Sequence, residues 1–229
     1  MKIKSLSIFV FLYNEKGNIA QLLESLNFFV TNHVEDGELI VINDGSNDGS
    51  KDVLANLQNN YQFTLINHET NLGIGHALKN GYQSSTKDFV VGVPGDGQFN
   101  VMEILEIKEW NFDRFYSFYR EQKGYNWYRN SLTQFNLLLN RLFLKNSLKD
   151  VNWIKVYSKK QLVEANPELN SSLIESEISS KLIKRGYIFE EISSTYLPRN
   201  SGVPKGGNIK TVSKAFIEMF HLVRIVRKF

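Results

Sequence analysis

The chain has 229 residues, 42% of them hydrophobic and 22% charged, which suits one large α/β domain and excludes native disorder. It contains no cysteine, so structural disulfides, thiolate metal centres and cysteine nucleophiles are excluded. The net charge of +3 does not by itself imply a nucleic-acid partner, and no apolar run approaches the roughly 20 residues that span a bilayer.

The opening segment Met1 to Val10 is short, lacks a small-residue cleavage site and runs straight into polar motifs, so it is expected to be a buried strand rather than a signal peptide. A strand is predicted from Ser7 to Leu12, then a helix from about Asn18 to Phe29 with Ile19, Leu22, Leu23 and Leu26 on one face. Strands follow at Glu38–Ile42, Phe63–Asn67 and Phe89–Val93, alternating with helices at Ser50–Leu57 and Gly75–Ser84. Such alternation requires crossover connections and a mostly parallel sheet flanked by helices, whose ligands sit at the carboxyl ends of the strands. The segments at those ends are Tyr13-Asn14-Glu15, Asn43-Asp44-Gly45-Ser46 and Gly95-Asp96-Gly97-Gln98.

Beyond Glu103 the pattern changes. Aromatic and basic residues gather between Phe112 and Arg129, an apolar helix is predicted at Ser131–Leu144, and a short segment spans Asp150–Tyr157. A helix at Ser172–Arg185, a strand at Tyr187–Ile192, a Gly/Pro/basic loop at Arg199–Gly207 and an apolar helix with interspersed basic residues at Val212–Phe229 complete the chain. This predicts a catalytic domain over 1–210 and a basic amphipathic helix over 211–229, either packed on the domain or lying on an anionic membrane surface.

Taken singly, the motifs leave two readings each. Asp44 suits an Asx turn capping the next helix or an acceptor for a base or ribose. Asp96 and Gln98, one glycine apart, suit a glycine-rich turn or two oxygen ligands to a hard cation that bridges phosphates. Arg120, Lys123 and Arg129 amid Tyr119, Tyr125, Trp127 and Tyr128 suit a solvated basic face, a phosphate site or a stacking surface for nucleic acid. Glu175 and Glu177 are expected at solvated positions on different helix faces, and His68 and His76 have no ligand-like partners in sequence.

In order and spacing these segments, together with Asn71-Leu72-Gly73-Ile74-Gly75-His76-Ala77, Arg129, Thr133, Asn136, Asp150 and Arg199-Asn200-Ser201-Gly202-Val203-Pro204-Lys205, resemble family 2 glycosyltransferases of the GT-A fold. Dolichyl- and polyprenyl-phosphate sugar synthases are the nearest likeness, over about residues 5 to 207. The resemblance implies that Tyr13, Asn14, Glu15 and Asp44 bind the nucleotide, with Asn71 and Gly73 in the loop beside it. It implies that Asp96 and Gln98 bind Mg2+ or Mn2+, and that Arg120, Arg129 and Thr133 face an acceptor phosphate. Asp150 would lie by the acceptor, while Arg199 and Lys205 close over the diphosphate. Asp96, Asp150 and Arg199 are thus the expected catalytic residues. The family's Asp-x-Asp triplet has Pro94 at its first position here, which removes one expected metal ligand.

The implied reaction moves a sugar from a nucleoside diphosphate sugar to an acceptor, with a polyprenyl phosphate at a membrane surface as first candidate. A sugar hydroxyl in polysaccharide or glycolipid assembly is the alternative, with Asp150 as its base. A nucleotide-sugar-binding protein without turnover and a basic nucleic-acid module are the other classes, though no nucleic acid is expected. The place implied is the cytoplasm or the cytoplasmic face of a membrane.

Overall fold

The computed structural model describes residues 2–121, 127–199 and 209–229, with backbone alone for 127–130, 132 and 209–217. Strand and helix alternate through β1 (Ile3–Leu12), α1 (Ile19–His33), β2 (Val34–Asn43), α2 (Ser50–Leu57), β3 (Thr64–Asn67), α3 (Ile74–Ser84) and β4 (Phe89–Pro94). A 3-10 helix (Val101–Glu106) leads to β5 (Arg114–Arg120), α4 (Trp127–Leu144), β6 (Lys155–Ser158), α5 (Lys159–Ala165), α6 (Ile174–Lys184), β7 (Ile188–Ser194) and α7 (Ile209–Lys228). The strands form one sheet in the order β3-β2-β1-β4-β6-β5-β7. Only β6 runs against its neighbours; every other pairing is parallel, so the expected α/β architecture is found.

Each sheet face carries its own core, and β1 feeds both because successive side chains point to opposite faces. Ile8, Val10 and Leu12 pack with Leu22, Leu23, Leu26 and Phe29 of α1 on one side. Phe9 packs with Ile40, Ile42, Ala77, Leu78 and Tyr82 on the other. There α3 lies so close that a Cβ on Gly81 would stand 2.1 Å from the Phe9 ring. Gly81→Ala is therefore expected to destabilise the fold by about 1–3 kcal/mol through overpacking. A denaturant midpoint unchanged from the parent chain would contradict that contact. α7 joins a third cluster, where Met219, Leu222, Ile225 and Val226 meet Leu144, Leu169 and Leu173.

In the second half one strand was not anticipated and one expectation fails. Arg114–Arg120 is a strand between β6 and β7, with Phe115, Tyr116 and Phe118 fully buried in the core. Of the aromatics weighed for stacking, Tyr119 is half-buried at the end of that strand, while Tyr125, with Lys123, and the side chains of Trp127 and Tyr128 lie outside the described residues. Glu175 and Glu177 are not solvated; both are buried, each holding a polar network inside the domain. The helical spacing that separates their faces is real, but α6 is covered by protein on both.

Glu175 accepts hydrogen bonds from the hydroxyls of Tyr82 and Tyr157, the latter at 2.9 Å. Lys155 Nζ stands 3.9 Å from the same carboxylate and donates to the carbonyls of Val151 (2.8 Å) and Trp153 (3.2 Å). Burial first, and the Glu175 charge second, hold both tyrosines well above their usual pKa of 10.0. As pH rises past 10 the unfolded tyrosines lose protons that the folded ones keep, so stability is full below that pH and falls above it. Burial lowers Lys155 below its usual 10.5, which gives the opposite slope below that pH, from one group against two. Absorbance titration should show these two tyrosines ionising only as the protein unfolds. Ionisation of all ten tyrosines in one step with the fold intact would refute the network.

Candidate functional site

From β1 the chain winds outward to β2 and β3, whereas β4 opens the other half of the sheet. The crevice at the carboxyl ends of β1 and β4 is thus the switch point where ligands of open α/β sheets bind. In-register pairing places Leu12 beside Asn43, and Phe11 beside Pro94, so the three polar segments emerge together.

Asn14 sits at φ +55°, a left-handed conformation that asparagine tolerates, and clasps the turn after β2. Its side chain exchanges hydrogen bonds with Asn47, Nδ2 to Oδ1 and Oδ1 from the backbone N–H, both at 2.8 Å. Its own N–H donates to Ser46 Oγ at 2.9 Å. Asp44 is buried and accepts from the backbone N–H groups of Leu72 (2.9 Å) and Gly73 (2.8 Å). His68 Nδ1 lies 2.6 Å from the same carboxylate, and Asn80 Nδ2 lies 2.7 Å from His68 Nε2. In that amide orientation the ring is neutral and its proton is on Nδ1, pointing at Asp44. His68, without a partner in sequence, is thus the brace behind Asp44. Asn71 Nδ2 donates to the Asp44 carbonyl at 3.3 Å, which fixes the loop that opens α3.

At the β4 end the side chains converge on one cation. Arg199 Nη2 donates to Asp96 Oδ2 at 2.7 Å, Nε to Gln98 Oε1 at 3.1 Å, and Nη1 to Glu15 Oε1 at 3.4 Å. Gln98 also takes the Tyr196 hydroxyl at 2.9 Å and donates Nε2 to the Leu197 carbonyl at 3.1 Å. The segment after β7 is therefore strapped to the Asp96 turn, with Arg199 brought among two carboxylates and an amide oxygen. Tyr13, two residues before Glu15, is half-buried.

Asp96, Gln98 and Glu15 offer the hard oxygen donors that Mg2+ or Mn2+ favours. Among the described residues no three His, Asp or Glu side chains gather as a metal cluster. Pro94 ends β4 and pairs with Phe11, so the position that would carry a further carboxylate is part of the sheet. The donors fit a divalent cation only where Arg199 yields its place, with phosphate and water completing the shell.

On the other side of β4, Arg120 grips Asp150 with two hydrogen bonds, Nε to Oδ2 at 2.8 Å and Nη2 to Oδ1 at 3.1 Å. Its guanidinium lies 4.4 Å from the Trp153 ring centroid and 5.4 Å from that of Tyr196. Arg120 is thus nearly buried and engaged by Asp150, not an open fork for phosphate. Thr133 is half-buried on α4, one turn before Leu137, which enters the core. The Arg129 side chain and Lys205 lie outside the described residues. Sequence reasoning missed Tyr196, Trp153 and Lys155; the first two are aromatics beside the charged pair, and Lys155 secures the turn that carries Asp150.

A mostly parallel sheet with polar segments gathered at its switch point is the architecture of a nucleotide-binding α/β domain. Residues 7–160 match the family model described as glycosyl transferase family 2, and the chain belongs to that family. A dolichyl-phosphate beta-glucosyltransferase of Trichomonas vaginalis is 31% identical over 109 residues, 44% of this chain and 34% of that protein. A poly-beta-1,6-N-acetyl-D-glucosamine synthase of Staphylococcus epidermidis is 25% identical over 95 residues, 42% of this chain and 22% of that protein. The chain thus matches about a third or less of the length of these curated relatives. Among solved structures, glucosyl-3-phosphoglycerate synthase of Mycobacterium tuberculosis, in complex with Mn2+, uridine-diphosphate-glucose and phosphoglyceric acid, superposes with a TM-score of 0.73. That likeness covers 96% of this chain and 79% of the other at 15% identity, and it shows the fold alone.

Proposed function

We propose that the chain is the catalytic part of a glycosyltransferase that moves a sugar from a nucleoside diphosphate sugar to the phosphate of a polyprenyl phosphate. The observation that carries this is the convergence of Glu15, Asp96, Gln98 and Arg199 at the switch point, opposite the Asp44 loop. The donor's nucleotide would lie along the Asn14 clasp and the 68–73 loop, its diphosphate toward Asp96. A bound Mg2+ or Mn2+ would supply charge neutralisation for the leaving diphosphate. Arg199, released from Asp96, would donate to the same oxygens.

The Asp150 ion pair supports a phosphate acceptor. The carboxylate is held in a two-point ion pair with Arg120, and Oδ1 also accepts from the Asn152 N–H at 3.3 Å, so both oxygens are already engaged. A hydroxyl acceptor needs a base; a phosphate oxygen is already ionised and needs none. The dolichyl-phosphate relative points the same way, and the polysaccharide synthase keeps the hydroxyl reading as the one to test against. Membrane association and a place at the cytoplasmic face belong to this proposal as well.

The test is release of nucleoside diphosphate from UDP- and GDP-sugars with Mg2+ or Mn2+, with and without polyprenyl phosphate. Release that requires the lipid phosphate and falls at least about 100-fold in Asp96→Asn supports the proposal. Transfer to a sugar hydroxyl instead would overturn the acceptor, and donor binding without turnover to any acceptor would overturn the activity.

A further inference from the structure

The strap after β7 carries more than Arg199. The Thr195 N–H donates to Glu103 Oε1 at 2.9 Å and the Leu197 N–H to the Gln98 carbonyl at 3.1 Å, so the strap's backbone is fixed along the Asp96 turn. Between these two anchors stands Tyr196, half-buried. Its hydroxyl donates to Gln98 Oε1 at 2.9 Å, on the donor side of the site. Its ring meets the other side, with its centroid 5.4 Å from the Arg120 guanidinium, within the reach of a cation–π contact. The same ring meets Trp153 at 5.6 Å and 72°, edge to face. Arg120 in turn lies 4.4 Å from the Trp153 ring and holds Asp150 by two hydrogen bonds. One side chain therefore touches both the acidic turn after β4 and the ion pair beyond it.

Gln98 decides what this bridge can transmit. An amide oxygen has two lone pairs, and Gln98 Oε1 receives both Tyr196 and Arg199 Nε, the latter at 3.1 Å. Arginine only donates, so turning the amide round would set its NH2 group against a guanidinium. A divalent cation that takes Gln98 Oε1 as a ligand must therefore displace the phenol as well as Arg199. With its hydroxyl turned out, the ring loses its tether to the donor side, and its place over Arg120 is no longer fixed from there.

We propose that Tyr196 is a positioning residue that couples the cation site at Asp96 and Gln98 to the Arg120–Asp150 pair. A cation that takes the Gln98 oxygen releases the Tyr196 ring, so that Arg120 can shift toward an acceptor phosphate. The inference rests on the glycosyl-transfer reading above for the nature of the two ligands. Such coupling is reciprocal: a phosphate that draws Arg120 from under the ring changes the affinity for the cation by the same factor. It also runs through one hydroxyl, so removing that hydroxyl alone abolishes it.

The experiment is Mn2+ titration of the full chain followed by electron paramagnetic resonance, with and without geranyl phosphate, for the parent and for Tyr196→Phe. Phenylalanine keeps the ring against Trp153 and Arg120, so the variant should keep its melting temperature. In the parent, geranyl phosphate is expected to tighten Mn2+ binding at least about fivefold beyond their association in buffer, and Mn2+ to tighten geranyl phosphate equally. In Tyr196→Phe each ligand alone should bind within about threefold of the parent, while the coupling factor falls below about twofold. A merely structural role would shift the single affinities and leave that factor in place. An equal factor in parent and variant, or no coupling in the parent, overturns the proposal. No Mn2+ binding by either overturns the metal-dependent donor reading and the coupling with it, which sets that failure apart from the other two.

Discussion

Arg199→Met is expected to lower turnover by about two to three orders of magnitude while tightening the binding of Mn2+ to the donor-free protein. Both effects come from one position. The guanidinium satisfies Asp96, Gln98 and Glu15 at 2.7, 3.1 and 3.4 Å, so a divalent cation approaching the same oxygens must displace it. Methionine keeps the stem and removes the charge, which leaves two carboxylates uncompensated and raises their demand for a metal. The same change deletes the donor proposed to meet the leaving diphosphate. Manganese titration followed by electron paramagnetic resonance reports the first effect without any reaction, and initial rates report the second. Arg199→Lys should recover part of the rate, since a point charge replaces a fork. Metal affinity that does not change, or that weakens, would show that Arg199 does not hold the metal's place.

The second large effect is on stability. Glu177 is fully buried and accepts the backbone N–H groups of Glu168 (2.8 Å) and Leu169 (2.9 Å) together with Lys181 Nζ (2.7 Å). Glu177→Ala leaves two donors and a buried ammonium short of their acceptor, since Lys181 retains the exposed Glu168, the Asn166 carbonyl and the Phe229 ring. A loss of about 3–5 kcal/mol is expected, the cost of stripping one partner from a buried pair. Glu177→Gln should cost less, because its amide oxygen can still take part of the donor set. A urea midpoint for Glu177→Ala within experimental error of the parent would contradict this account.

That carboxylate also shows where sequence reading stops. The first half of the fold was legible because apolar periodicity there agrees with tertiary burial: α2 spans the predicted Ser50–Leu57, and α3 and β4 differ from expectation by one residue at one end. β1 and β2 run longer than expected, since their opening stretches pair in the sheet although Lys4, Glu35 and Asp36 within them are exposed. β5 was missed because a buried strand rich in Phe and Tyr between two arginines has the composition of a binding surface. α5 had a readable signal in Ser158-Lys159-Lys160-Gln161, and Ser158 and Gln161 do form a capping box. Glu177 had none, for a carboxylate on a helix is usually solvated and only the packing of α6 decides otherwise. In the candidate site, the Tyr13, Asp44 and Asp96 segments were located by their place at strand ends. The Arg120–Asp150 pair and the His68 brace were not, because pairing between side chains 30 and 24 residues apart leaves no local trace.

The strap that brings Arg199 to Asp96 joins residues 103 positions apart. A ribosome adding about 5–20 residues per second needs roughly 5–20 s to make that interval. β1 to β4 emerge with Glu15 and Asp96 already in place, whereas the arginine that neutralises them has yet to be synthesised. Closing so long a loop is also the slower kind of folding event. A newborn chain therefore presents Glu15 and Asp96 to the cations of its surroundings for seconds before it can present its own arginine.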